Sequence, residues 1–164
     1  MSEKILVEHF LAAARNRDGF LAPQKITTKN KSEMAALAKE IAILTHIGDV
    51  IGLKGSLGVG KSFFAREFIN TLSANKINVP SPTFNLVYSY ATKKGEVFHF
   101  DLYRLKNAEE LENIGFFDAL QSGICLIEWP EIAQKFLPKS YIEIEILNFG
   151  EGEGEARQVI LSAT

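Results

Sequence analysis

The chain has one cysteine, little net charge and no long hydrophobic run. Cys125 has no second cysteine with which to form an internal disulfide, a pattern that fits a reducing compartment. The net charge of −2 gives no global basic field that would draw the protein to nucleic acid. No apolar run approaches the roughly 20 residues of a membrane span, and Glu8 and His9 interrupt the first apolar segment, which argues against a secretory signal. We therefore expect a cytoplasmic protein without a membrane contact.

The rest of the composition is that of an ordinary globular domain. The chain is 46% hydrophobic and 23% charged. Its 164 residues are enough for one hydrophobic core and too few for two. We predict an N-terminal extension over residues 1–24 and one domain over residues 25–164. Strand-like and helix-like patterns alternate along that domain, which predicts an α/β fold with a mixed sheet, parallel around residues 50–62 and antiparallel elsewhere.

Residues 55–62 match the phosphate-binding P-loop pattern G-x-x-x-x-G-K-[ST]. An apolar run, Val50–Leu53, precedes the loop, and Phe63–Ile69 has helical spacing, so the loop joins a strand to a helix. The glycines let backbone N–H groups turn toward an anion at the helix N-terminus. Lys61 would reach the outer phosphates, and the Ser62 hydroxyl would bind Mg²⁺. The predicted nucleotide-binding residues are Leu57, Gly58, Val59, Gly60, Lys61 and Ser62.

A P-loop site needs a second acidic residue near Mg²⁺, and two candidates follow predicted strands. Glu128 follows the apolar run Ile124–Ile127, and Asp101 follows Val97–Phe100. Either carboxylate would bind Mg²⁺ directly, bind it through water, or orient the attacking water. The sequence leaves these alternatives open.

Five further residues receive predictions of their own. Thr83 lies in a loop that prolines stiffen, where a hydroxyl can sense the γ-phosphate or a metal-bound water. His99 is interpreted as a packing residue of a hairpin, and Lys93 and Lys94 as its solvated turn. One helix is predicted to start with Ser32 as its cap, and another is predicted over residues 131–136.

The nucleotide is predicted to be ATP. Residues 30–33 read Asn-Lys-Ser-Glu, which resembles part of the guanine-recognition pattern N-K-x-D, but they precede the P-loop and end in glutamate. No arginine-rich lid segment follows the P-loop, which weakens the alternative of a small-molecule kinase. A nucleotide-gated binding module without a catalytic role is the third hypothesis.

Four motifs together resemble the TsaE (YjeE) family in type, order and spacing. They are Gly55–Ser62, Ser81–Phe84, His99–Arg104 and Ile127–Pro130, and the resemblance covers roughly residues 25–164. It implies a P-loop NTPase-like three-layer fold and a weak, partner-dependent ATPase. It also implies work with TsaD and TsaB in forming N6-threonylcarbamoyladenosine at position 37 of tRNA. The chain would contact tRNA only through that complex, and we expect it to be a monomer alone.

The resemblance also implies roles for individual residues. Lys61 and the loop amides would bind phosphates, Ser62 and Glu128 would bind Mg²⁺, and Asp101 and Thr83 would belong to the hydrolysis and switch machinery. Trp129 would lie beside the nucleotide, and the region Gly152–Arg157 would approach it. The chain departs from the family where Ser62 replaces the more frequent threonine and Val59 the frequent alanine.

Overall fold

The computed structural model of the chain describes residues 3–16, 21–150 and 154–163. Helices and strands alternate along most of it. The helices are α1 (Glu3–Asn16), α2 (Lys31–Leu44), α3 (Lys61–Leu72), α4 (Glu109–Asn113), α5 (Phe116–Ser122) and a 3₁₀ helix (Pro130–Phe136). The strands are β1 (Gln24–Thr28), β2 (Val50–Lys54), β3 (Val87–Thr92), β4 (Gly95–Asp101), β5 (Ile124–Glu128), β6 (Ile142–Asn148) and β7 (Arg157–Ala163).

The strands form one mixed sheet of seven, in the order β1-β7-β6-β2-β5-β4-β3. β2 pairs in parallel with β5 and β6, and β4 pairs in parallel with β5. The pairs β3–β4, β6–β7 and β1–β7 are antiparallel. The prediction of an α/β, P-loop NTPase-like fold with a mixed sheet is confirmed. Because β2, β4 and β5 run in the same direction, their carboxyl ends meet at one edge of the sheet.

Helices cover both faces of the sheet, which gives three layers. Neighbouring residues of β2 show the alternation: Ile51 belongs to the core cluster that contains α1, α2 and α3, whereas Val50 belongs to the cluster that contains α4 and α5. On β4, Val97 packs in the first cluster and Phe100 in the second. His99 and Asp101 have the same parity as Val97, so they lie on the α3 side of the sheet.

Helix α1 packs against the domain through one stripe of apolar residues. Val7, Phe10, Leu11 and Ala14 recur at helical spacing and are buried in the same core as α2 and α3. This helix therefore shares the core of the domain. The predicted boundary at residue 24 stays a prediction. None of the helices in the described ranges is long and apolar enough to cross a membrane.

The predicted cap of α2 is wrong by two residues. Asn30, and not Ser32, is the N-cap: its side-chain oxygen accepts a hydrogen bond from the Glu33 N–H at 3.0 Å. The Glu33 carboxylate in turn accepts from the Lys29 N–H at 2.8 Å. Two N–H groups at the helix start are satisfied reciprocally, which is why this pair prevails over Ser32.

Two other local predictions need correction. The helix predicted over 131–136 is a 3₁₀ helix, and Ala133 at φ −106° and ψ 17° interrupts its regular geometry. In the β3–β4 turn, Lys93 is exposed as predicted, but Lys94 is not simply solvated. Its ammonium group donates to the carbonyl oxygens of Ala42, Ile43 and Thr45 at the end of α2. These carbonyl oxygens belong to a helix about 50 residues earlier in the chain, so the sequence around Lys94 does not reveal them.

Candidate functional site

The P-loop connects β2 to α3 through a backbone path that only glycine permits at two points. Gly55 has φ +136°, and a Cβ atom there would lie 2.4 Å from the backbone oxygen of Ile146. Gly60 has φ +124° and directly precedes α3. The loop therefore turns sharply and presents the N-terminus of α3 to the carboxyl edge of the sheet.

A pocket of about 330 Å³ lies at this edge. Its wall combines P-loop residues with residues of three distant segments, as the sequence predicts. The predicted site residues that line it are Leu57, Gly58, Gly60, Lys61, Ser62, Thr83, Asp101 and Glu128.

Val59 is the one predicted nucleotide-binding residue that does not line the pocket. Its side chain is buried beneath the loop, and its N–H donates to the Ser56 oxygen at 3.3 Å. Its carbonyl oxygen accepts a hydrogen bond from Arg157 Nε at 2.9 Å. In the predicted region Gly152–Arg157, residues 152 and 153 lie outside the described residues, but Arg157 contacts the P-loop backbone. Val59 thus anchors the loop from below.

Ser62 and Glu128 form the first polar pair of the pocket. The Ser62 hydroxyl lies 2.9 Å from Glu128 Oε1 and 3.1 Å from Oε2, and it donates to this carboxylate. Glu128 is almost fully buried at the carboxyl end of β5. Because the Ser62 hydrogen is directed to the carboxylate, the oxygen lone pairs stay available as acceptors or ligands.

Thr83 and Asp101 form the second polar pair. The Thr83 hydroxyl donates to Asp101 Oδ2 at 2.9 Å, and its oxygen lies 2.7 Å from Ser81 Oγ. The other oxygen, Oδ1, accepts from the Tyr103 N–H at 3.1 Å. Asp101 and Glu128 are register partners on β4 and β5. The two candidate carboxylates therefore lie side by side, and each accepts a hydrogen bond from a different hydroxyl group.

Lys61 lines the pocket and contacts backbone oxygens of its own loop. Its ammonium group donates to the carbonyl oxygens of Gly55 at 2.7 Å and Ser56 at 2.8 Å, and it lies 4.2 Å from the centre of the Trp129 ring. Burial lowers the pKa of Lys61, and the negative charges of Glu128, Asp101 and Glu131 oppose that shift. The lysine is thus a poorly solvated cation beside acceptors of only partial charge.

Two residues next to the site adopt a backbone conformation that is unusual for non-glycine residues. Trp129 has φ +59° and Leu86 has φ +65°. Trp129 follows Glu128 and packs its ring 4.8 Å from that of Tyr103, while the Leu86 oxygen accepts from the Asp101 N–H. Strain of this kind concentrates at functional sites. The placement of Trp129 at the pocket agrees with the expectation from the resemblance.

His99 is the residue whose contacts the sequence reasoning missed. It is buried, as the packing interpretation requires, but its Nε2 also lies 2.8 Å from Glu128 Oε1. One signal in the sequence points to this contact: His99 precedes Asp101 by two residues and so shares its face of the strand. The partner on β5 cannot be read from the sequence without the register between the strands.

The donor set suits one kind of metal better than others. Within the described ranges, no group of three or more His, Cys, Asp or Glu side chains could hold a metal ion. Zinc prefers such a cage of protein ligands, whereas Mg²⁺ binds through one or two carboxylates and hydroxyls, with phosphate oxygens and water completing its shell. Ser62 and Glu128 fit the second pattern.

Comparison with known proteins agrees with the motifs. Residues 28–159 match the family model described as "Threonylcarbamoyl adenosine biosynthesis protein TsaE". A protein of Rickettsia felis named tRNA threonylcarbamoyladenosine biosynthesis protein TsaE is 42% identical over 117 residues, which are 71% of this chain and 68% of that protein. The Bacillus subtilis protein of the same name is 35% identical over 132 residues, 80% of this chain and 82% of that protein.

A solved structure shows the same fold. The crystal structure of Bacillus subtilis YdiB matches with a TM-score of 0.69 and 28% identity, over 89% of this chain and 88% of that one. The segment that matches the family model contains the P-loop and both carboxylates of the pocket. This chain therefore belongs to the TsaE family of threonylcarbamoyl adenosine biosynthesis proteins.

Proposed function

We propose that the chain binds Mg²⁺ and ATP in the P-loop pocket and hydrolyses ATP slowly, as a subunit of the machinery that makes N6-threonylcarbamoyladenosine at tRNA position 37. The observation that carries the proposal is the convergence of the P-loop with the pairs Ser62–Glu128 and Thr83–Asp101 on one pocket. Membership of the TsaE family supports the pathway.

Phosphate binding would use the N-terminus of α3 and the ammonium group of Lys61. The loop amides and the helix dipole favour an anion at this position. Lys61 would exchange its contacts with the Gly55 and Ser56 oxygens for charged phosphate oxygens, which are stronger acceptors. The negative charge of the phosphate would also oppose the lowering of the lysine pKa that burial causes.

Ser62 and Glu128 would hold Mg²⁺ when it is bound with the nucleotide. The ion would neutralise charge on the phosphate oxygens. Ser62 keeps its lone pairs for the metal because its hydrogen is donated to Glu128. Glu128 would bind the ion directly or through a water molecule, with its carboxylate held in place by its hydrogen bonds.

Asp101 and Thr83 would orient the attacking water. Asp101 Oδ2 already accepts the Thr83 hydrogen, so the Thr83 oxygen can accept a hydrogen bond from that water. Asp101 is the last residue of β4, whereas Thr83 lies in the loop between α3 and β3, and a loop is more readily repositioned by a partner than a strand of the sheet is. A partner that orders the Thr83 loop would therefore speed hydrolysis, which supports a slow reaction in the isolated chain.

ATP is proposed over GTP because the N-K-x-D-like fragment at residues 30–33 has a structural role at the start of α2. Asn30 of that fragment caps α2, and no residue of 30–33 lines the pocket.

We propose TsaD-like and TsaB-like proteins as partners in the cytoplasm, with tRNA reached only through them. Leu57, Phe84 and Tyr103 are 77%, 81% and 50% exposed around the site, and such apolar side chains support a covering partner.

The proposal is tested first by calorimetric titration of ATP and GTP with and without Mg²⁺. We expect tighter binding of ATP. Glu128→Gln should weaken the Mg²⁺ dependence of binding, whereas Asp101→Asn should slow hydrolysis by roughly 10²-fold or more with a smaller change in affinity. Glu112→Gln, at an exposed acid of α4, is the matched control and should change neither quantity.

Reaction products and partner capture separate the alternatives. Release of ADP and inorganic phosphate supports an ATPase, whereas phosphate on a small acceptor would establish a kinase. Capture of TsaD-like and TsaB-like proteins that depends on ATP would support the proposed assembly. Repeated tRNA modification with a non-hydrolysable ATP analogue would instead establish a nucleotide-gated binding module.

A further inference from the structure

We infer that His99 is a positioning residue for the Mg²⁺ site, acting by a hydrogen bond that fixes the Glu128 carboxylate. The inference rests on the proposed function, because it concerns the metal that would accompany ATP. His99 itself does not line the pocket, so it would act through Glu128 alone.

The sheet brings the two side chains together. His99 pairs in register with Leu126 on β5, and Glu128 follows Leu126 by two residues on the same face. The distance between His99 Nε2 and Glu128 Oε1 is 2.8 Å, and the two side chains are only 1% and 3% exposed. A hydrogen bond so far from water is worth more than an exposed one, because neither group has a solvent alternative.

The surroundings of the ring define which nitrogen donates. Within the described part of the chain, His99 Nδ1 is buried and has no hydrogen-bond partner. A hydrogen on Nδ1 would be a buried unpaired donor, and the Nε2 lone pair would then face a carboxylate oxygen. A hydrogen on Nε2 instead satisfies Glu128, so we assign the Nε2–H tautomer from the network.

The hydrogen bond from His99 makes the two carboxylate oxygens of Glu128 different from each other. Oε1 accepts from His99 at 2.8 Å and from Ser62 at 2.9 Å, whereas Oε2 has the longer Ser62 contact of 3.1 Å. Oε2 therefore keeps the greater acceptor capacity for Mg²⁺ or a metal-bound water. Loss of the His99 bond would free the carboxylate to rotate, so Oε2 would no longer be the oxygen that is held available for Mg²⁺. Partners of metal-ligating groups commonly change metal affinity by 10–100-fold when they are removed.

The sole tryptophan gives a direct readout of the pocket. Trp129 lies against Lys61, so its fluorescence should change when phosphate engages that lysine. We would titrate ATP in EDTA and then titrate Mg²⁺ into the complex, for the original chain, His99→Leu and His99→Gln. The glutamine amide keeps an N–H donor near the position of Nε2, and leucine removes the donor.

We expect His99→Leu to raise the Mg²⁺ concentration at half-saturation by about tenfold or more while the affinity for ATP in EDTA changes less than about twofold. His99→Gln should restore the Mg²⁺ response to within about threefold of the original. Exposed His46 provides the control, since His46→Leu removes a histidine away from the pocket and should leave both titrations unchanged.

The outcomes separate this inference from the proposed function. If the original chain binds no ATP, or binds it without regard to Mg²⁺, the proposed function fails. If it binds Mg²⁺ and ATP normally but His99→Leu gives the same Mg²⁺ titration, the positioning role is wrong. Equal losses of affinity with and without Mg²⁺ would mean that His99 only supports the fold. Should His99→Leu fail to fold, His99→Asn replaces it, because the shorter amide cannot reach Glu128 and should show the same Mg²⁺-specific loss.

Discussion

Lys61 and Lys94 make similar contacts at opposite ends of two helices. Each ammonium group donates to backbone carbonyl oxygens, Lys61 to those of the P-loop and Lys94 to those at the end of α2. Burial is the largest cause that lowers the pKa of each. Their positions relative to the helix dipoles differ, and that difference separates the lysine that is proposed to bind phosphate from the lysine that contacts a helix end.

The dipole of α2 favours Lys94, whereas the dipole of α3 disfavours Lys61. A helix C-terminus carries partial negative charge and unpaired carbonyl oxygens, so a cation there completes the helix. Lys61 is the first residue of α3, where the partial charge is positive and an anion is preferred. Neighbouring carboxylates keep this cation in place, but a phosphate would complete the arrangement. The two lysines thus differ in their partners: carbonyl oxygens at the end of α2 stabilise Lys94, whereas Lys61 lies where the phosphate of the proposed nucleotide would stabilise it.

The largest expected effect is the loss of nucleotide binding in Lys61→Ala. Two charge-assisted hydrogen bonds to phosphate would disappear, each worth about 1.5–3 kcal/mol, so affinity for ATP should fall by roughly 10²-fold or more. The free energy of unfolding without nucleotide should stay the same or rise, because a buried cation at a helix N-terminus is removed. Calorimetric titration and urea unfolding measure the two quantities. Retained ATP affinity would show that Lys61 is no binding lysine.

Lys94→Ala should give the reverse pattern, with a smaller effect. The carbonyl oxygens of Ala42, Ile43 and Thr45 would lose their shared donor, and we expect the free energy of unfolding to fall by about 1 kcal/mol. ATP affinity should remain within about twofold, because Lys94 does not line the pocket. Lys93→Ala, at the exposed neighbour, is the control for urea unfolding. A weakened ATP affinity in Lys94→Ala alone would erase the distinction between the two lysines.

The same comparison explains what the sequence can and cannot predict. Lys61 is identifiable because its partners are local: the glycines, the strand before them and the helix after them all lie within a short stretch of chain. The positions of Asp101 and Glu128 at strand ends were also predicted, because each directly follows an apolar run that is typical of a strand. Such local signals, combined with parallel pairing of the strands, predict that the carboxyl ends of these strands meet at one edge of the sheet.

The contacts of Lys94 and His99 were not predicted, because their partners are distant in sequence. The acceptors of Lys94 lie about 50 residues earlier, at the end of α2, and the partner of His99 lies 29 residues later on β5. Both contacts depend on how elements pack, not on local propensity. The correct cap of α2 shows the same limit at short range: Asn30 and Ser32 are both capping types, and the reciprocal bond with Glu33 and Lys29 decides between them.

The smallest expected effect is a pH dependence of the stability that Lys94 confers. Burial, with the nearby charge of Arg15, lowers the folded-state pKa of Lys94 below its ordinary value of 10.5, and Asp49 opposes the shift. Between the lowered pKa and 10.5, the unfolded chain binds more protons at this residue than the folded chain does. Stability at this site therefore rises with pH across that window, because the cost of burying the charge is lost.

Urea unfolding of the original chain and of Lys94→Met at pH 7 and near pH 10 measures this difference. The original chain should gain stability relative to Lys94→Met as the pH rises, since the neutral amine can still donate to the end of α2. Lys93→Met should show no such trend, because Lys93 is exposed. A relative loss of stability at high pH would mean that the charge itself, through the dipole of α2, outweighs the cost of its burial. Lys94 would then stabilise the end of α2 mainly through its charge, and the two lysines would differ only in which end of a helix dipole their charge lies near.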